Sequence, residues 1–231
     1  MENPLLSVFD TPHESIPFST IQTEHFIPAL KKNIKNALEG IDKIVSQTAA
    51  PNFKNTIETM QNVGVLLERN SLILFNLNSA ETSEAIQKIT QRASQLLTQF
   101  QNDVRLNQAL FERIKAVHEK KKQENLTVEQ ETLLEKEYKG FARNGALLQE
   151  DKKIKLREID IEIAKLSLTF GENVLADTHA YELHITLDKD LKGLPNQVKE
   201  MARETAQSME KEGWVFTLDY PSYVPFVTYT E

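Results

Sequence analysis

Residues 150–176 read EDKKIKLREIDIEIAKLSLTFGENVLA. Leu156, Ile159, Ile163, Leu166, Phe170 and Val174 recur every three or four residues, the spacing that puts side chains on one face of an α-helix. Ile154, Ile161 and Leu168 add a second row at sevenfold spacing. Two apolar rows on one helix predict an element packed on both sides, and so one central to its domain. Only neighbouring helices or a sheet can cover such an element, and the flanking sequence supplies helices.

Upstream, the same periodicity returns five times. Thr23 is expected to cap a helix carrying Phe26, Leu30, Ile34, Leu38, Ile41 and Val45, with Pro28 in its opening turn and Pro51 ending it. A second helix is expected from about Phe53 to Leu77, with Ile57, Met60, Val63, Leu67, Leu74 and Leu77 as its stripe. A third spans about Ser83 to Asp103 and a fourth about Gln108 to Gln123. Thr127 with Gln130 has the form of a capping box and opens a fifth, which Gly145 closes. Residues 1–22 carry Pro4, Pro12 and Pro17 without periodicity, which predicts an extended arm pinned by Leu5, Leu6, Phe9, Ile16 and Phe18.

Downstream the period changes from helical to alternating. Tyr181, Leu183, Ile185 and Leu187 alternate with polar residues, as in a half-buried strand. Pro195 marks the start of a helix over about 195–212, and Gly213 its end. Trp214, Phe216 and Leu218 form a second strand. Thr217 to Glu231 then read TLDYPSYVPFVTYTE. Tyr220, Tyr223, Val224, Phe226, Val227 and Tyr229 call for burial, while Pro221 and Pro225 argue against a helix or a central strand. So apolar an end reads as a join to something larger. The fold class is therefore mainly α: a multi-helix domain with a small β element, two strands around one helix, near the C-terminus. Its divisions are an extended arm at 1–22, a helical domain at 23–178 and a strand-helix-strand element at 179–231.

Composition narrows the chemistry. The 231 residues include 27 Lys and Arg against 34 Asp and Glu, a formal charge of −7, which disfavours nucleic acid as a partner. The chain has no cysteine, so no disulfide, thiolate nucleophile or Cys-type zinc site. The opening Met-Glu-Asn-Pro-Leu-Leu lacks the basic and apolar regions of a signal peptide, and no apolar run approaches the ~18 residues of a membrane helix. A cytoplasmic location is expected.

Catalytic motifs are missing. A helical zinc peptidase needs two His one turn apart with a Glu between them, His-Glu-x-x-His. His13-Glu14 and His118-Glu119 start that pattern without the second His, and His179 and His184 flank a strand start on opposite faces. There is no nucleophile elbow or phosphate-binding Gly-rich loop. Glu158, Asp160 and Glu162 read as a solvated helix face, Lys120-Lys121-Lys122 as a solvated helix end, and Trp214 as packing. No catalytic, cofactor-binding or metal residue is expected in this chain, and substrate-binding residues are not legible.

Ordered short motifs carry a resemblance. Asn3-Pro4-Leu5-Leu6 with Phe9 leads into Ile16-Pro17-Phe18, Ile21, Glu24-His25-Phe26 and Pro28-Ala29. Phe141, Arg143 and Gly145-Ala146 follow, then Leu166 with Phe170, Asn173 and Leu175, then Leu191, Gly193-Leu194-Pro195. Thr217-Leu218-Asp219, Pro221-Ser222-Tyr223, Pro225-Phe226 and Tyr229 complete the series. From residue 3 to residue 229 the chain resembles the N-terminal region of the zinc oligopeptidases, the family of oligopeptidase A, dipeptidyl carboxypeptidase and thimet oligopeptidase. The resemblance implies a parent of two helical halves around a channel, with zinc and its ligands in the later half and short peptides as substrates. It further implies that this region walls the channel, lacks the catalytic half as a partner here, and is inactive alone. The alternative is a stand-alone helical module that binds peptides or proteins without catalysis.

Overall fold

A computed structural model of the chain describes residues 3–230. Met1, Glu2 and Glu231, which belong to the terminal segments read above, lie outside the described residues. The chain divides into two compact units, Met1–Lys165 and Leu166–Glu231.

The first unit is built from α1 (Thr23–Ser46), α2 (Thr59–Asn62), α3 (Val65–Ala80), α4 (Glu84–Arg105), α5 (Gln108–Glu119), α6 (Val128–Phe141) and the first half of α7 (Glu150–Ala180). Packing of α1 on α3 and α4 encloses Phe26, Ala29, Leu30, Leu74 and Ala93. A second cluster, with Ile44, Ile57, Phe111, Ile114, Leu134 and Phe141, fills the space where α5 and α6 meet the turn at Phe53–Glu58. The Thr127 cap forms as read: Gln130 N–H donates to Thr127 Oγ1 at 3.3 Å, and Thr127 N–H donates to Gln130 Oε1 at 3.0 Å. Gly145 takes a left-handed φ of 98° just beyond α6.

Several details differ from the reading. The N-cap of α1 is Gln22, whose backbone N–H donates to His25 Nδ1 at 3.1 Å, and Thr23 is already helical. Pro28 is the sixth residue of α1, past the opening turn, and α1 stops at Ser46, before Pro51. The expected second helix is split. A π-helical turn, Phe53–Glu58, leads into α2, and the chain breaks at Val63–Gly64 before α3, because Gly64 gives a helix interior little support. The arm is interrupted by one-turn 3₁₀ segments at Pro4–Leu6, Pro12–Glu14 and Phe18–Thr20. Leu5 and Phe9 pin it, while Leu6, Ile16 and Phe18 are exposed. Its other anchors are polar: Asn70 Nδ2 and Arg69 Nη2 donate to Leu5 O at 2.7 and 3.1 Å, and the Arg69 guanidinium lies 4.0 Å over the Phe9 ring.

The second unit contains the rest of α7, β1 (Leu183–Ile185), α8 (Asn196–Ser208), β2 (Trp214–Phe216) and α9 (Tyr220–Tyr229). The strands pair antiparallel, Leu183 opposite Phe216 and Ile185 opposite Trp214. A small core of Leu191, Leu194, Ala202 and Phe216 holds them to α8. The proline-broken tail is itself a helix. Pro221 sits in its first turn, where an absent N–H has no partner to lose. Ser222 and Tyr223 N–H close the turn onto Asp219 O at 2.9 and 2.8 Å, so Pro225 removes only a later bond. Most side chains expected to be buried there are open: Tyr220, Tyr223, Val227 and Tyr229 are exposed, while Phe226 packs 4.6 Å from Phe216, ring to ring.

The largest departure is α7. Its length was legible, but it is not covered on both sides. Ile161 and Leu168 are half-buried, whereas Ile159, Ile163, Leu166, Phe170 and Val174 are exposed. Lys153 is the buried residue of this helix, its Nζ donating to Gln108 Oε1 at 3.1 Å. Each row is covered only in part: Ile154 of the second is exposed, and Leu156 of the first is half-buried.

Candidate functional site

Each histidine is placed separately. His13 lies in a short turn with a left-handed φ of 58°, and His25 accepts the α1 cap bond. His179 falls in the last turn of α7. His184, on β1, has Nε2 2.6 Å from Glu212 O. Among the described residues no group of three or more His, Cys, Asp or Glu could hold a metal ion. Tetrahedral zinc needs three convergent protein donors in a catalytic site, so the residues described here do not fit that ion.

His118 belongs to a tie between α5 and α6. Its Nε2 lies 2.7 Å from Glu135 Oε2, and its ring stacks on Tyr138 at 4.1 Å. Lys121 and Lys139 reach the same carboxylate at 3.1 and 3.0 Å. The His118 hydrogen bond first, then those of Lys139 and Lys121, hold Glu135 down at about 2. A carboxylate so firmly ionised is a poor general base near neutral pH, where a base is best tuned close to the operating pH. Lys121, the centre of the basic run, is thus used as an internal ion-pair partner. The acids of α7 are dispersed: Glu158 and Glu162 are exposed and Asp160 is half-buried.

The best-formed recess of the first unit lies among α1, α2, α3, α4 and α6. Its volume is about 480 Å³, within the range of small ligand sites. Ile41, Leu67, Phe75, Phe100, Val104 and Phe141 supply apolar lining. Its polar part is an ion pair, Arg105 Nη1 to Glu137 Oε2 at 2.9 Å. Gln61 Nε2 donates to Glu137 Oε1 at 3.1 Å, and the Arg105 guanidinium lies 4.8 Å over the Phe141 ring. This geometry can receive an apolar side chain beside a fixed charge pair. It contains no activated nucleophile. Sequence reasoning missed Arg105, Glu137 and Gln61, because their pairings span 32 and 76 residues and leave no local period.

The fold and the recess define a helical scaffold, without an assembled reaction centre among the described residues. No protein-family model matches the chain. Whole-sequence comparison finds peptidases. The chain is 27% identical over 231 residues to oligopeptidase A of Escherichia coli, covering 100% of the chain and 33% of that protein. It is 30% identical over 233 residues to oligopeptidase A of Haemophilus influenzae, again covering 100% and 33%. Against dipeptidyl carboxypeptidase of Salmonella typhimurium it is 30% identical over 217 residues, 94% of the chain and 32% of the relative. The chain thus spans about a third of the length of these curated relatives. It is an N-terminal region of the zinc oligopeptidase family that includes oligopeptidase A and dipeptidyl carboxypeptidase.

Proposed function

We propose that this chain forms a non-catalytic wall of a longer zinc-dependent oligopeptidase and helps to restrict its channel to short peptides. The observation that carries the reading is the extent of the match: the whole chain aligns with a third of oligopeptidase A. In this reading the zinc and the groups that activate its bound water belong to the other two thirds, which is the partner of this region. The intact protein acts in the cytoplasm on short peptides.

A wall needs rigidity and an entrance-facing surface more than it needs titrating groups. The first unit has that character. It encloses two apolar clusters, pairs charges such as Arg105–Glu137 and Glu135–Lys139, and caps α4, α5 and α6 with Ser83, Asn107 and Thr127.

The test uses the 231-residue chain alone. Elemental analysis after gel filtration is expected to find far less than one zinc per chain, and a short blocked peptide is expected to stay intact. Stoichiometric zinc together with peptide hydrolysis would contradict the proposal.

A further inference from the structure

α7 carries an apolar row that is half-buried at its start, Leu156, and exposed from Ile159 onward. At 3.6 residues per turn, Ile159, Ile163, Leu166, Phe170 and Val174 fall within an arc of about 80°. Their exposures are 44, 56, 56, 70 and 49%. On the opposite side of the same helix Ile161 and Leu168 are half-buried, and Ile154, near the helix start, is exposed. Single exposed apolar residues are ordinary, but a contiguous row of this kind marks a surface that something covers.

The rhythm of the row describes its occupant. From Leu156 through Ile159, Ile163 and Leu166 to Phe170 the steps are three, four, three and four. That is the spacing by which one helix receives the side chains of a second helix lying along it. The charged flank holds Lys155, Glu158, Glu162 and Lys165, whose signs cancel, so neither an anionic surface nor a basic peptide is favoured. An uncharged, apolar helix face fits.

We propose that this row is the docking seam for a helix contributed by the remaining two thirds of the intact protein. The proposal rests on the reading of this chain as one region of a longer peptidase. Two arguments select that occupant over a second copy of the chain. The relatives are about three times the length of the match, so chain is available to cover the row. The row itself is small. Five partly exposed side chains offer on the order of 400 Å², against the about 800 Å² per partner of a stable interface between separate molecules. A helix in the same polypeptide needs less area, because its effective concentration is already high.

The experiment compares the wild-type sequence with the double variant Leu166→Asp, Phe170→Asp, in the 231-residue chain and in the full-length native product. The isolated chain is expected to sediment as a monomer in both forms, with equal helical circular dichroism and melting midpoints within about 2 °C. In the full-length product the double variant is expected to lower the midpoint by at least about 5 °C, while Glu158→Gln leaves it unchanged. A dimer of the isolated chain that the variant abolishes would overturn the proposal in favour of a second copy. Destabilisation of the isolated chain would show that the row belongs to its own core, and an unshifted full-length variant would show that nothing docks there. A native product of only 231 residues would remove the occupant. Hydrolysis of a short blocked peptide by the full-length product separates the two readings. Its absence with the melting shift intact counts against the peptidase reading alone, and its presence without the shift counts against the seam alone.

Discussion

The first unit encloses two large apolar clusters, whereas the second, less than half its length, encloses one small core and exposes many of its apolar side chains. In the first, Phe26, Phe111, Phe141, Leu30, Leu74 and Ile114 are essentially inaccessible. In the second, Phe170, Val174, Leu187, Tyr220, Tyr223 and Val227 are exposed around a core of Leu191, Leu194, Ala202 and Phe216. Size explains part of the contrast, because a short segment cannot bury the fraction of its surface that a domain above ~150 residues can. Composition explains the rest: the second unit carries more apolar and aromatic residues than its two short strands and helices can enclose. An apolar pattern read from sequence thus reports that a face will be covered, without saying by which part of the polypeptide.

Substitution of paired phenylalanines is the sharpest way to break this contrast. Phe111 stacks on Tyr138 and Phe141 at 5.8 and 6.3 Å, so Phe111→Ala leaves a cavity and is expected to cost about 3–5 kcal/mol in urea unfolding of the 231-residue chain. Phe170→Ala, on the bare row, is expected to stay within about 0.5 kcal/mol. Equal losses would erase the distinction between the two units.

Gly213→Ala probes how well the second unit holds its small core. Gly213 has a φ of 89°, and an added Cβ would meet Ile185 O, a backbone atom that cannot swing aside. A loss of about 1–3 kcal/mol is expected, read as a lower melting midpoint with the β1–β2 amide protons exchanging faster. An unchanged midpoint would mean that the strand pair adds nothing to stability.

Thr127→Ala removes the α6 cap in the first unit and is expected to cost about 1 kcal/mol, with Thr127→Ser recovering most of it. The smallest effect expected is that of Glu135→Gln. The folded-state carboxyl at about 2, against an ordinary 4.5, makes the tie stabilising above pH 4.5 and weakens it as the pH falls from there toward 2. The variant should therefore show a flatter dependence of melting midpoint on pH across that window, and parallel curves would remove Glu135 from the account.

Local chemistry was the legible part of the fold. The Thr127 cap, the Gly145 and Gly213 turns, and both rows of α7 follow from side-chain type and spacing over a few residues. What was missed needed knowledge of distant chain. Nothing within residues 150–176 says which members of each row meet a neighbour and which stay bare. Pro225 was read as a helix breaker, yet the turn anchored on Asp219 O and the Phe226–Phe216 contact hold α9 together. At the recess, Arg105 and Glu137 lie on separate helices with no local period to link them, and only the packing of α4 and α6 brings them to 2.9 Å.

The central claim is that this chain is one region of a longer peptidase, and the size of its native product tests it most directly. An antibody raised against the chain would be used to blot an extract of the cells that make it. The account predicts a single product of about three times 231 residues, in keeping with relatives of which the chain covers 33%. A product of 231 residues would contradict it, and α7 would then need an occupant other than its own polypeptide.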